Sequence, residues 1–184
     1  QITAVEIDPD MVALAERNIE GNDLATQIRL LKGDITALSP VLANSFDHVV
    51  SNPPYHDTRG TRPKNRSRAL AHMGEDTKLA DWVLAAIWAT KPRGRISFIC
   101  RADRASELIT AFESNGAGET LICPLWPRHD TPASRVIIQV RKNITGPGAI
   151  LPGLVVHNDK GGYTQSANLI MQGGALNLTH PARS

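Results

Sequence analysis

The feature that most constrains this chain is the alternation of short apolar runs with helix-spaced ones. Ile2-Thr3-Ala4-Val5 is a buried-strand run that ends at Glu6-Ile7-Asp8. Asp8 is placed to cap a helix and Pro9 suits its first position. Met11, Leu14, Ala15 and Ile19 recur at helical spacing, and Gly21 is placed to end that helix. Ile28 to Leu31 predicts a second strand, stopping at Gly33-Asp34, and Phe46 to Ser51 a third. A polar loop, His56 to Gly74, precedes a helix predicted over Thr77 to Thr90. Pro92-Arg93-Gly94 predicts a turn, and Arg95 to Cys100 a fourth strand. Ala105, Leu108, Ile109 and Phe112 mark another helix, closed by Gly116. Thr120 to Leu125 and Val136 to Arg141 predict two last strands. The connection between them, Trp126 to Arg135, is too short for a parallel crossover, so this pair is expected to be antiparallel. Asn143 to Leu154, rich in Gly and Pro, predicts a linker. Leu154 to His157 then predicts a short edge strand, and Tyr163 to Met171 a short helix. The expected fold is α/β, a doubly wound and mostly parallel sheet with a C-terminal antiparallel hairpin.

Composition narrows the class. A chain of 184 residues, 41% hydrophobic, can bury one sizeable core. Its net charge of +2 does not by itself point to nucleic acid, so the distribution of charge has to carry that argument. Cys100 and Cys123 lie inside apolar runs and read as reduced core residues. His129, Asp130 and His157 have no companions at metal-ligand spacing, so no metal is expected. No run is long enough to span a membrane and no signal peptide is visible, which makes a cytoplasmic location the expectation. The chain begins at Gln1, directly inside an apolar run, and reads as cut within a fold.

In doubly wound sheets, ligands bind at the carboxyl ends of the strands. Three polar signals fall at three such ends: Glu6, Asp34 and Asn52-Pro53-Pro54-Tyr55. A carboxylate after the first strand can accept from both hydroxyls of a ribose, although an acid before a helix can also be simply solvated. Asp34 can accept from an adenine amine, or serve only its own turn. The third signal is more particular. A planar amine has its lone pair delocalised into a π system, and acceptors placed at its two hydrogens help free that pair. The Asn52 side-chain oxygen and the Pro53 carbonyl are two such acceptors. Two prolines stiffen the turn and remove backbone donors. Tyr55 can stack on a flat substrate, a contact worth ~1–3 kcal/mol per base. The bland alternative is a Pro-Pro turn beside an incidental Asn. His56, next to the motif, reads as a loop residue, because an amine that loses its proton to water needs no general base.

Val5-Glu6-Ile7-Asp8-Pro9, Gly33-Asp34 and Phe46-Asp47-His48-Val49-Val50-Ser51-Asn52-Pro53-Pro54-Tyr55 together resemble the class I S-adenosylmethionine-dependent methyltransferases that modify planar amines. Within them the chain resembles the bacterial tRNA (valine) adenine-N6 methyltransferase family. Three further features carry that resemblance. They are a basic insert after the motif, the Ser134-Arg135-Val136 entry to the last strand, and a tail of the form Leu154-Val155-Val156-His157 followed by Gly161-Gly162-Tyr163-Thr164. The resemblance implies a Rossmann-like domain over residues 1–142, with residues 143–184 as linker and tail packed on it. It implies S-adenosylmethionine as cofactor. Glu6 would hold the ribose and Asp34 the cofactor adenine, with Ile7, Ile35 and Asn52 also at the cofactor. Asn52 and the Pro53 carbonyl would hold the target amine, with Pro54 stiffening the turn and Tyr55 stacking on the target. The family also carries an earlier strand and Gly-rich turn that cradle the methionine part of the cofactor. No such segment stands before Glu6 here, and Gly146-Pro147-Gly148 is in the wrong place for it. In the family's sheet that strand is central. The expectation is therefore a sheet without its middle, from a fragment of a longer enzyme that binds cofactor poorly alone.

Arg59, Arg62, Lys64, Arg66 and Arg68 lie within ten residues just after the motif, with Asp57 the one acid before Glu75. A basic loop beside a base-binding motif fits contact with an RNA backbone, tRNA in the family resembled, although surface charge runs are often only solvated. Three other readings share some of these features. One is a glutamine-amide methyltransferase acting on a protein of the release-factor type. Another is a DNA adenine enzyme, which would usually carry a separate recognition domain. The last is a non-catalytic remnant that keeps an RNA-binding surface.

Overall fold

The computed structural model describes residues 1–54 and 78–179. These form two compact units, one of residues 1–41 and 78–85, the other of residues 42–54 and 86–179. In the first unit, β1 (Ile2–Glu6) and β2 (Ile28–Lys32) form a parallel pair in register from Ile2 opposite Ile28 to Glu6 opposite Lys32. The crossover is α1 (Pro9–Gly21). Asp8 caps it as expected, its side chain accepting from the amides of Asp10 at 2.9 Å and Met11 at 3.4 Å. The helix ends at Gly21 as expected, with Asn22 at its C-cap.

The second unit is built on a mixed sheet. Its strands are β3 (Phe46–Ser51), β4 (Thr90–Arg101), β5 (Ala117–Trp126), β6 (Arg135–Lys142), β7 (Ala149–Ile150) and β8 (Leu154–Val155). The order is β3-β4-β6-β5-β7, with β8 also on β5. β6 runs antiparallel to β4 and β5, so the expected hairpin is present. The pairings β3·β4, β5·β7 and β5·β8 are parallel. Of the remaining helices, α2 (Leu79–Ala89) has residues in both units, and α3 (Ala105–Glu113) and α4 (Gln165–Met171) belong to the second. Among the described residues β1 pairs with β2 and β3 with β4, and no ladder joins the two sheets.

The core of the second unit sits under β4 and β6. Ile96, Phe98, Leu108, Phe112, Ile138 and Val140 are fully buried, and the rings of Phe98 and Phe112 meet edge to face at 5.2 Å. Two expectations need correction. Pro92-Arg93-Gly94 is not a turn before β4 but an irregularity inside it, with Arg93 at φ 67°. The register on β3 shifts there, from Phe46 opposite Thr90 to His48 opposite Arg95. The stretch predicted as linker also adds a strand, since β7 binds β5 at Leu121 and Ile122. Its β-branched Ile150 and the backbone of Ala149 find an open edge, which turn-rich composition does not reveal.

Candidate active site

Glu6 and Asp34 stand at the carboxyl ends of adjacent parallel strands. Their backbones are tied where the Gly33 amide donates to the Glu6 carbonyl at 3.0 Å. The Glu6 carboxylate is partly committed. Its Oε1 accepts from the amides of Ile7 and Asp8, both at 2.8 Å, holding the turn that leads into α1. Oε2 has no partner among the described residues and keeps two lone pairs for ligand hydroxyls. Asp34 caps a short 3₁₀ turn, Ile35–Ala37. Its Oδ1 accepts from the Thr36 amide and the Thr36 hydroxyl, each at 2.8 Å. Both acids thus serve their own turns and still present a second oxygen at one sheet end. Ile7 and Ile35, the residues that follow them, are partly buried.

In the second unit β3 ends at Ser51, paired with Phe98, and Asn52-Pro53-Pro54 leave the sheet at its carboxyl edge. Pro53 is fully buried, whereas Asn52 and Pro54 are exposed. A buried proline with a fixed φ anchors the turn, and the amide of Asn52 faces outward on a backbone that has little freedom. Farther back on β3, His48 Nε2 lies 2.8 Å from Ser97 Oγ on β4, and Gln139 Nε2 on β6 donates to the same oxygen at 3.0 Å. That network ties the edge strand carrying Asn52 to the two strands beyond it.

Tyr55, His56, Arg59, Arg62, Lys64, Arg66 and Arg68 lie outside the described residues. Among the described residues, no group of three or more His, Cys, Asp or Glu could hold a metal ion, and no helix is long and apolar enough to cross a membrane. Cys100 and Cys123 are buried free thiols, and burial pushes Cys100 up to about 11, which keeps it protonated and inert. A cleft of about 280 Å³ lined by Glu113, Glu119 and Gly148 lies at the amino end of β5, the opposite end of the sheet from Asn52.

The tail that carries His157 and Tyr163 brings their rings together, a contact the sequence did not reveal. The chain has two tyrosines, Tyr55 in the motif and Tyr163 in the tail. The predicted helix over Tyr163 to Met171 starts instead at Gln165, and the Tyr163 ring stacks on His157 at 5.1 Å. The signal available was this scarcity, one of two tyrosines set in a polar Gly-Gly turn.

Residues 1–87 match a family model described as an RMKL-like methyltransferase domain. A tRNA1(Val) (adenine(37)-N6)-methyltransferase of Haemophilus influenzae (strain PittEE) is 36% identical over 109 residues, 59% of this chain and 46% of that protein. A protein of the same name from Actinobacillus succinogenes is 26% identical over 164 residues, 89% of this chain and 67% of its own length. This chain spans about half the length of the Haemophilus relative. Among solved structures, a predicted O-methyltransferase from Agrobacterium tumefaciens superposes with a TM-score of 0.74 at 24% identity, over 95% of this chain and 78% of that one. A methyltransferase from Pyrococcus furiosus gives 0.54 at 20% identity, over 78% and 64%. These structures speak to the fold alone; residues 1–87 are similar to a methyltransferase domain, and the chain is similar to proteins named as tRNA1(Val) (adenine(37)-N6)-methyltransferases.

Proposed function

We propose that this chain carries out methyl transfer from S-adenosylmethionine to the N6 amine of an adenine in tRNA, in the cytoplasm. Residues 1–142 hold the chemistry in this reading, and residues 143–184 are linker and tail. The observation that carries it is the end of β3, where an exposed Asn52 is followed by a buried Pro53. The names of the sequence relatives support the choice of adenine in tRNA over a glutamine amide.

S-adenosylmethionine supplies, when bound, an electrophilic methyl group on a positive sulfur. The residues present fit the nucleoside part of that molecule: Oε2 of Glu6 is an acceptor for ribose hydroxyls and the Asp34 carboxylate one for an adenine amine, with Ile7 and Ile35 as their neighbours. The chain's own work is to hold and polarise the target amine. Asn52 Oδ1 and the Pro53 carbonyl accept its two hydrogens, which draws nitrogen density toward the lone pair. Tyr55 stacks on the base and excludes water from its face. The extra proton leaves to solvent, so no side chain must titrate near neutrality. Catalysis is mainly positioning, and a misplaced amide is expensive. Arg59, Arg62, Lys64, Arg66 and Arg68 neutralise backbone phosphates.

The test is transfer of radiolabelled methyl from S-adenosylmethionine to bulk tRNA by the wild type and by Asn52→Ala. Loss of one preorganised polar contact to the reacting group is expected to lower kcat by about 10²–10³. Label appearing on protein glutamine and not on tRNA would replace this reading with the amide one. Label on neither, with the cofactor saturating, would remove the enzyme reading altogether.

A further inference from the structure

The tail reaches the same end of the sheet as Asn52. β3 is parallel to β4, and both β4 and β5 are antiparallel to β6. β3, β4 and β5 therefore all point their carboxyl ends one way. β8 is parallel to β5, with Val155 opposite Trp126, and the His157 amide donates to the Pro127 carbonyl at 3.0 Å, just past the end of β5. From β3 to β8 is four strand spacings, about 19 Å at ~4.8 Å each. That is the length of roughly five to six stacked nucleotides at about 3.4 Å per nucleotide.

What the tail holds there is an aromatic ring on a pinned backbone. Asn158 Oδ1 accepts from the amides of Lys160 at 3.0 Å and Gly162 at 3.1 Å, and its Nδ2 donates to the Tyr163 carbonyl at 3.3 Å. On the other side of Tyr163, the Thr164 hydroxyl donates to the Val155 carbonyl at 2.6 Å and accepts from the Ala167 amide at 3.2 Å. Tyr163 stacks on His157 at an interplanar angle of 25° and remains 45% exposed. His157 Nδ1 is buried without a partner among the described residues, and the face of the ring backs Tyr163. The turns beside it carry exposed Arg128 and Lys160 but also exposed Asp130 and Asp159. The patch offers a stacking face, not a field.

We propose that Tyr163, backed by His157, stacks an unpaired base of the same RNA strand whose target adenine is held at Asn52. This rests on the tRNA reading above. Little freedom is left to lose at Tyr163 when a base lands on it, which is why a single ring there contributes usefully to affinity.

The experiment uses RNA stem-loops in which each unpaired position in turn carries fluorescent 2-aminopurine. Binding of the wild type should quench one position several nucleotides from the methylated adenine. Tyr163→Phe should keep that quench and the affinity. Tyr163→Leu, which keeps apolar bulk against His157, and Tyr163→Ala should both lose the quench and bind RNA about tenfold more weakly, with S-adenosylmethionine affinity unchanged. If the Leu and Ala variants bind and quench like the wild type, the tail contact is wrong while the methyl-transfer reading stands. If Phe fails along with them, the hydroxyl and not the ring is what matters, and the stacking proposal is overturned. A wild type that binds none of the stem-loops overturns both.

Discussion

Ser97 Oγ is approached from both sides, by Gln139 Nε2 and by His48 Nε2. Ser97 Oγ accepts from the Gln139 amide, and the direction of its bond with His48 Nε2 follows the imidazole tautomer. Partial burial, and after it the positive charge of Arg95, hold His48 below the ordinary value of 6.5. The sign follows from linkage. A histidine with a lowered folded pKa leaves full stability above its ordinary value, and that contribution drains away as pH falls from there through the lowered value. Unfolding in urea at pH 7.5 and pH 5.5 should therefore show a larger loss for the wild type than for His48→Gln. Ser97→Ala should cost about 1–3 kcal/mol, because the amide of Gln139, only 5% exposed, is left without a partner. A Ser97→Ala midpoint equal to that of the wild type would mean the network is ornamental. None of this was legible in the sequence, since 49 residues separate His48 from Ser97 and 42 separate Ser97 from Gln139.

At the scale of elements, strand positions were more legible than their edges. Asp8-Pro9 starts α1 because a side-chain acceptor and a fixed φ act within one turn. The start of β4 was misread because Pro and Gly normally punctuate. Here Gly94 lies inside the strand, where a Cβ would come within 2.6 Å of Thr90 Cγ2 and 2.9 Å of the carbonyl oxygens of Asp47 and Lys91. Only glycine lets β3 and β4 approach through the register shift. Gly94→Ala should destabilise by ~1–3 kcal/mol and lower Tm by about 2–4 °C for each of these. A scanning-calorimetry trace matching the wild type would show that the bulge relaxes freely. The same change should blunt methyl transfer, since β3 carries Asn52.

For the whole molecule, net charge is the wrong summary. The chain is only +2, yet five of its twenty Lys and Arg residues fall between Arg59 and Arg68. If that loop meets RNA phosphates, affinity should fall steeply with salt. Arg66→Ala with Arg68→Ala should make the plot of log affinity against log salt shallower by about 1–2, while leaving cofactor affinity alone. Filter binding across a salt series reads this directly, and parallel lines for wild type and double variant would count the loop as solvated surface.

Local chemistry settled what the sequence by itself determined: the strand and helix order, the helix cap at Asp8, the antiparallel pairing of β5 with β6, and the motif at the end of β3. Each of these rests on groups within a few residues of one another, where φ preferences, hydrogen-bond reach and periodicity suffice. Tertiary structure alone decided the bulge at Gly94, the addition of β7 to the edge at Leu121, the Ser97 network and the placing of Tyr163 on His157 at the sheet end shared with Asn52. Those depend on which strands become neighbours. That choice is made by burial summed over a sheet, and no short stretch of sequence records it.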